Sequence, residues 1–255
     1  MQYTLKKSLG QHFLKDENIS RKIVAALEET MHSTAINKVV EVGPGAGAIT
    51  KYMLGLHGIE FKAVELDDEK VAYLLHTYPA LKDKIIHQSF LDVAAPFTDP
   101  FIVIGNFPYN ISTQIVFKVL EWKDLVPVTI GMFQKEVAQR IASGPGSKVY
   151  GIMSVLTQAF YNVEYLFDVP PGCFNPPPKV MSGVIKLHRR KDSIAVKSER
   201  SFVVLVKAAF NQRRKTLRNA TKSLFTEDEL TNDIFNKRAE QLSIADFAAL
   251  TYKMK

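Results

Sequence analysis

The feature that most constrains the fold is a regular alternation of short apolar runs with helical patterns over residues 37–160. The first apolar run contains Val39, Val40 and Val42, and a helical pattern follows the glycines at 43–47. Later apolar runs end at residue 65, near 86, at 105 and near 132, with helical patterns between them. Strands that alternate with helices form parallel sheets covered on both faces. The sequence therefore predicts an α/β, doubly wound fold.

The pattern changes after residue 161. Two extended stretches, residues 163–169 and 180–187, flank a proline-rich segment, which predicts antiparallel strands added at the edge of the sheet. From about residue 192 the apolar residues recur only at helical spacing. We therefore predict two domains: residues 1–191 carry the sheet, and residues 192–255 form a small C-terminal all-α domain.

A glycine-rich turn joins the first predicted strand to its helix, with the sequence Glu-Val-Gly-Pro-Gly-Ala-Gly at residues 41–47. Such a turn lets backbone N–H groups approach a ligand at the positive end of a helix. Gly43 and Gly45 fit a dinucleotide pattern, and Glu65, at the end of the next strand, can bind ribose hydroxyls. Glu41 instead favours the sulfonium cation of S-adenosylmethionine. A nicotinamide dinucleotide, an adenosyl cofactor and a purely structural glycine turn all remain possible on this motif alone.

A second motif, Gly-Asn-Phe-Pro-Tyr-Asn at residues 105–110, follows the fourth apolar strand. Its position is at the carboxyl edge of the sheet, where doubly wound folds bind ligands. The Asn106 side-chain oxygen and the backbone carbonyl of Phe107 or Pro108 can accept hydrogens from an exocyclic amine. Tyr109 offers a flat face on which an extruded base can stack. The motif thus predicts methylation of an amine on a flat ring.

Positive charge is concentrated in one part of the chain. The net charge is +7 with a pI near 9.3. The window from Lys186 to Lys222 contains twelve Lys or Arg and two acids, so the remainder is net acidic. A solvated helical face is one interpretation. We favour phosphate contact without sequence readout, on one helix and its extension. The predicted RNA-binding residues are Lys207, Arg213, Arg214, Lys215, Arg218 and Lys222.

Composition excludes several classes of protein. No apolar run approaches the roughly 20 residues that span a bilayer, and the first residues lack the apolar stretch of a signal peptide. We therefore expect a cytoplasmic protein without membrane contact. A single cysteine, Cys173, excludes an internal disulfide, and six scattered histidines make a metal site improbable.

Six motifs together give a family resemblance that spans nearly the whole chain. They are Leu-Gly-Gln-His-Phe-Leu at 9–14, Glu-Val-Gly-Pro-Gly at 41–45, Val-Glu-Leu-Asp at 64–67, Gly-Asn-Phe-Pro-Tyr-Asn-Ile-Ser at 105–112, Phe-Asn-Pro-Pro-Pro-Lys-Val at 174–180 and Phe-Asn-Gln-Arg-Arg-Lys-Thr-Leu-Arg at 210–218. With them the chain resembles the small-subunit ribosomal RNA adenine N6,N6-dimethyltransferases.

The resemblance implies a fold, a reaction and a partner. The fold would be a Rossmann-like class I methyltransferase sheet, and the cofactor would be S-adenosylmethionine. The reaction would dimethylate two adjacent adenosines in the 3′-terminal hairpin loop of 16S rRNA. The substrate would be the immature 30S subunit, the enzyme would act as a monomer, and residues 192–255 would bind RNA.

The resemblance also assigns site residues. Residues 1–15 would cover the cofactor, and Phe174 would pack on the target base opposite Tyr109. Asn106 would border both the methyl group and the target amine. The residues that would contact the cofactor are His12, Leu14, Gly43, Gly45, Glu65, Ser89, Phe90 and Asn106.

Three other functions remain possible on the sequence. A large-subunit rRNA dimethylase of the macrolide-resistance type shares Asn-x-Pro-Tyr, although the stretch at 210–218 favours the small-subunit enzyme. A nicotinamide-dependent oxidoreductase has no use for residues 106–109 or the basic region. A ribosome-assembly factor that binds without catalysis is the third alternative.

One departure from the family pattern gives a prediction. The family has an acid that binds the adenine amine of the cofactor after the third strand, where this chain has Ser89. A hydroxyl accepts a weaker hydrogen bond than a carboxylate. We expect Ser89→Asp to tighten S-adenosylmethionine binding in calorimetric titration. An unchanged or larger dissociation constant would contradict this interpretation.

Overall fold

The computed structural model describes residues 12–192 and 194–255. The chain divides into two compact units. The first contains the described residues up to Ala138 together with Glu164–Arg189, and the second contains Gln139–Val163 with the described residues after Arg189. The boundary predicted near residue 191 stays a prediction. It differs from these units because residues 139–163 group with the C-terminal helices.

A seven-stranded sheet carries the fold. The strands are β2 (Lys38–Val42), β3 (Glu60–Glu65), β4 (Ile85–His87), β5 (Ile102–Asn106), β6 (Val128–Gln134), β7 (Tyr161–Val169) and β9 (Ser182–Arg189). Their order in the sheet is β4-β3-β2-β5-β6-β9-β7. Strands β2 to β6 pair in parallel, and β9 pairs with β6 antiparallel. This arrangement confirms the predicted doubly wound sheet with antiparallel addition at one edge.

Helices connect the parallel strands. The first begins after Asp16, whose side chain caps it by accepting from the N–H groups of Asn18 and Ile19. Its buried face, which includes Ile23 and Leu27, packs into the main core. The helices up to residue 160 are α1 (Glu17–Thr34), α2 (Thr50–Met53), α3 (Asp68–Thr77), α4 (Ser112–Glu121), α5 (Lys135–Ala142) and α6 (Ile152–Phe160). None of the described helices is both long and apolar enough to cross a bilayer.

The second unit has its own apolar core. Phe210 is central to it, because its ring lies 6.0 Å from that of Tyr150 and 5.9 Å from that of Phe247. After residue 194 the described residues form helices and turns only: α7 (Glu199–Asn211), α8 (Leu217–Thr221), α9 (Ile244–Thr251) and three short 3₁₀ turns.

A two-stranded pair that the sequence did not reveal lies apart from the main sheet. Strand β1 (Phe13–Leu14) runs antiparallel to β8 (Phe174–Asn175), with Leu14 opposite Phe174. The Lys15 N–H extends the contact by donating to the Cys173 carbonyl at 2.9 Å. Two-residue strands are too short for an alternating pattern, so periodicity cannot identify them. The pair attaches the start of the described chain to the proline-rich segment.

Candidate active site

A cavity of about 210 Å³ opens where the carboxyl ends of the parallel strands meet, within the first unit. Because neighbouring parallel strands point the same way, the residues that follow β2, β3, β4 and β5 reach the same edge of the sheet. Most of the predicted site residues line this cavity. They are His12, Leu14, Gly43, Gly45, Glu65, Ser89, Phe90, Asn106, Phe107, Pro108 and Tyr109.

The glycine turn adopts a backbone that favours glycine. Gly43 and Gly45 have φ angles of +64° and +58°, in the left-handed region that other residues rarely enter. The Gly43 N–H donates to the Val64 carbonyl at 2.9 Å, which holds the turn against β3. A Cβ atom on Gly43 would lie 3.6 Å from the Pro108 ring, so the glycine turn and the 105–110 motif are in contact.

Glu65 is fixed by three backbone donors. Its Oε1 accepts from the N–H groups of Leu66 at 2.9 Å and Asp67 at 3.0 Å, and its Oε2 accepts from the Gly45 N–H at 3.2 Å. A carboxylate has about four acceptor positions, so it can still accept from hydroxyl groups. The Glu65 carboxylate is therefore already oriented by the backbone of the protein, which suits it to accept hydrogen bonds from the two hydroxyl groups of a vicinal diol.

Glu41 is a second acid on the cavity wall and is fully buried in β2. Its Oε2 accepts a hydrogen bond from the Thr50 hydroxyl at 2.6 Å. Burial raises the pKa of Glu41 to about 8, and the Glu65 charge acts in the same direction, while the bonds from Thr50 oppose it. At neutral pH the Glu41 carboxyl is therefore mostly protonated.

The Asn106 amide is oriented by the N-terminal segment. Its Nδ2 donates to the His12 carbonyl at 3.1 Å, so the amide nitrogen is used and Oδ1 is left as the acceptor. The same His12 places its Nδ1 2.9 Å from the Pro176 carbonyl. His12 thus joins the 105–110 motif to the proline segment.

Tyr109 is held at its hydroxyl and at its ring. The hydroxyl is 2.5 Å from the Oγ of Ser182, a fully buried residue of β9, and the ring centre is 5.4 Å from that of His12. Burial raises the pKa of the Tyr109 hydroxyl, and the bond with Ser182 opposes that rise. The phenol is therefore a neutral, fixed group.

Phe107 and Pro108 shape the turn between β5 and α4. The Phe107 ring is fully buried and packs edge to face on Phe133, with a centroid distance of 5.1 Å. The Pro108 carbonyl accepts from the Ile111 N–H at 3.1 Å. Of the two carbonyls that the sequence offered as acceptors for a target amine, that of Phe107 is therefore the better candidate.

Of two further predicted residues, Phe174 lies away from the cavity and Ser89 lies on its wall. Phe174 does not line the cavity: it is fully buried within the main core, opposite Leu14 in the β1–β8 pair. Backbone pairing turns its ring inward instead of toward Tyr109. Ser89 does line the cavity, and its Oγ accepts from the Leu91 N–H at 3.2 Å, whereas Asp92 is exposed. No acid from this segment therefore lines the cavity.

Sequence reasoning assigned no role to several cavity residues, among them Phe13, Asp67 and Lys70. Asp67 and Lys70 are 5% and 1% exposed. A lysine three residues after an aspartate in the first turn of a helix has the pattern of a solvated pair, so no sequence signal distinguishes this one. Among the described residues, no His, Cys, Asp and Glu side chains form a group of three that could hold a metal.

The six basic residues predicted to bind RNA are all exposed, but not on one helix. Helix α7 ends at Asn211, so Arg213, Arg214 and Lys215 lie in the turn before α8. The extended backbone of Thr216 separates the two helices, which the continuous charge run did not reveal. The Arg213 guanidinium donates to the Lys148 carbonyl and so also has a structural contact.

Comparison with known proteins identifies the family. The model of the family described as "Ribosomal RNA adenine dimethylase" matches residues 2–254. The chain belongs to the ribosomal RNA adenine dimethylase family. Among its relatives, "Ribosomal RNA small subunit methyltransferase A" of Cytophaga hutchinsonii is 51% identical, over 96% of this chain and 95% of the relative. The protein of the same name from Flavobacterium johnsoniae is 51% identical, over 98% and 95%.

Solved structures agree on the fold of this dimethylase. A dimethyladenosine transferase from Plasmodium falciparum has a TM-score of 0.75 at 24% identity, and covers 92% of this chain and 94% of its own. The 23S rRNA methyltransferase ErmE has a TM-score of 0.67 at 22% identity, with coverage of 93% and 99%. The fold is thus the Rossmann-like class I methyltransferase fold that the resemblance implied.

The cofactor of this dimethylase is S-adenosylmethionine, and the nicotinamide alternative is excluded. The cavity fits this cofactor chemically. Glu65 would accept from the ribose hydroxyls, and Leu66, a 58% exposed residue of the cavity wall, would offer an apolar surface for the adenine. Glu41 supplies a carboxyl group on the wall of the same cavity.

Glu41 gives a prediction about stability and pH. Because its pKa is raised from 4.5 to about 8 on folding, the folded state holds a proton that the unfolded state releases. Its contribution to stability is therefore full below pH 4.5 and falls as the pH rises to about 8. In urea titrations, Glu41→Gln should gain stability relative to the wild type across this window. The exposed Glu60→Gln is the control, and a pH-independent difference for Glu41→Gln would contradict the shift.

Proposed function

We propose that this protein transfers methyl groups from S-adenosylmethionine to N6 of two adjacent adenosines in the 3′-terminal hairpin loop of 16S rRNA. It acts as a monomer in the cytoplasm on the immature 30S subunit, and so takes part in small-subunit biogenesis. The observation that carries the proposal is the oriented Asn106 amide beside the glycine turn and Glu65, in one cavity. The 51% identical relatives named as small-subunit methyltransferases support the choice of rRNA.

The chemistry is a displacement on an electrophilic methyl group, which the bound cofactor supplies. The N6 lone pair of adenine is delocalised into the ring, so the protein must favour pyramidal geometry at that nitrogen. The Asn106 Oδ1 and the Phe107 carbonyl accept the two N6 hydrogens and direct the lone pair toward the methyl group. No strong general base is needed, because the nitrogen becomes cationic and acidic as it gains the methyl group and then releases a proton to water. Catalysis is then mainly positioning.

The target base needs a surface outside the RNA stack. Tyr109 offers its ring face, and the Ser182 hydroxyl keeps that ring in one orientation. Phe174 would be a second stacking surface only after leaving the core position that it has here. Tyr109 is therefore the primary platform in our proposal.

Methyl transfer from labelled cofactor to undermethylated 30S particles tests the proposal. We expect label on 16S rRNA adenosine, and a loss of activity of about 100-fold or more for Asn106→Ala. The matched control is Asn37→Ala. Asn37 is exposed and precedes the amino end of β2, so this variant should keep full activity.

Two alternatives have their own outcomes in this assay. A large-subunit dimethylase, which shares Asn-x-Pro-Tyr with this chain, would label 23S rRNA instead. A non-catalytic assembly factor, which the weaker Ser89 contact would favour, would bind particles and transfer no label. Either result would replace the proposal.

The basic turn gives a second prediction. Arg214, Lys215 and Arg218 are exposed and suit phosphate contact, whereas Arg213 also bonds to Lys148. Replacing Arg214, Lys215 and Arg218 with Ala should weaken RNA binding about tenfold or more. It should also lower the salt dependence of binding, because each phosphate contact releases counterions. Cofactor affinity should not change. The control is Lys82→Ala/Lys84→Ala, two exposed lysines before β4; equal losses in both variants would exclude a specific surface.

A further inference from the structure

A buried lysine lines the cavity and has no role in the chemistry described above. Lys70 is 1% exposed and lies in the first turn of α3, where the helix dipole disfavours a cation. Lysines are almost never fully buried unless their charge is compensated. Burial of the Lys70 cation at this position therefore costs free energy, and the contacts of its ammonium group indicate its role.

The Lys70 ammonium contacts two other cavity residues. Its Nζ is 3.8 Å from the Asp67 Oδ2 and 4.7 Å from the centre of the Phe13 ring. The second distance is within the range of a cation–π interaction, which is stronger when water is excluded. Lys70 thus joins α3 to the N-terminal segment.

These contacts connect Lys70 to Glu65, the acid proposed to bind the ribose, by two routes, one through Phe13 and one through Asp67. The Phe13 ring lies 3.1 Å from the position of a Cβ on Gly45, so it packs directly on the glycine turn. The Gly45 N–H donates to Glu65 Oε2, and the Asp67 N–H donates to Glu65 Oε1. All five residues line the same cavity.

We propose that Lys70 is a positioning residue for cofactor binding: its ammonium holds Phe13 over the glycine turn and balances the Asp67 charge beside Glu65. This role rests on the proposed function, because it concerns the S-adenosylmethionine site. It adds a residue that acts through Phe13 and Glu65 instead of touching the reacting atoms.

The position of Phe13 also affects the catalytic amide. The carbonyl of the preceding residue, His12, accepts from Asn106 Nδ2 at 3.1 Å. A shift of Phe13 would therefore move the acceptor that orients Asn106. Lys70 reaches both the cofactor side and the amine side of the cavity through one short segment.

The test measures S-adenosylmethionine binding to the full chain by calorimetry, and its dissociation by stopped flow. Lys70→Met should weaken binding about tenfold, mainly through faster dissociation, which is the size of one desolvated cation–π contact. Lys70→Arg keeps the cation and should restore most of the affinity. Phe13→Leu should lose as much as Lys70→Met, and the double variant should lose no more than either single one.

A matched control separates this role from a general loss of packing. Lys62 places its Nζ 4.4 Å from the Phe97 ring, outside the cavity lining. Lys62→Met removes the same type of contact and should leave cofactor affinity unchanged. Equal losses for Lys62→Met and Lys70→Met would overturn the proposal.

A second variant controls for misfolding, because Lys70→Met removes the cation beside the buried Asp67 carboxylate. Lys70→Met/Asp67→Asn removes both charges and keeps an acceptor for the Glu69 N–H that Asp67 caps. It should show wild-type thermal stability with the same loss of affinity. Wild-type affinity in this variant, or losses that multiply in the Lys70–Phe13 cycle, would overturn the role of Lys70. Absence of binding by the unaltered protein would instead overturn the proposed function, and this role with it.

Discussion

Parallel pairing of β2 with β3 and β5 is the constraint on which the rest of the structure depends. Val42 pairs with Val64 on one side, and Glu41 pairs with Ile104 on the other. This register brings the glycine turn, Glu65 and Asn106 to one edge of the sheet, although they are far apart in the sequence. The cavity exists because four neighbouring parallel strands, β4, β3, β2 and β5, end together, and its chemistry follows from what comes directly after each strand.

The three acidic side chains that line the cavity have different surroundings. Glu65 accepts from three backbone N–H groups and is oriented for hydroxyl groups. Glu41 is buried with one hydroxyl donor, and its pKa is raised to about 8. Asp67 lies near the Lys70 ammonium. Three carboxyl groups on the wall of one cavity therefore have different partners: backbone N–H groups, a hydroxyl group and an ammonium group.

The three residues 12–14 contact three different parts of the first unit. His12 orients Asn106 through its carbonyl, Phe13 packs on the glycine turn, and Leu14 pairs with Phe174. Each of these contacts joins the segment to a different part of the first unit. The glycine turn, the 105–110 motif and strand β8 are consequently linked by three consecutive residues.

The sequence by itself determined the doubly wound sheet, the two motifs at its carboxyl edge and the family, because parallel buried strands are nearly continuous apolar runs and glycine turns need specific residues. Only the tertiary structure decided the β1–β8 pair, the inward position of Phe174, the turn that contains Arg213–Lys215 and the burial of Lys70. Contacts between residues distant in the chain fix these features, and neither periodicity nor composition records such contacts. Local pattern therefore specified where the site lies, and long-range packing specified how its side chains are held.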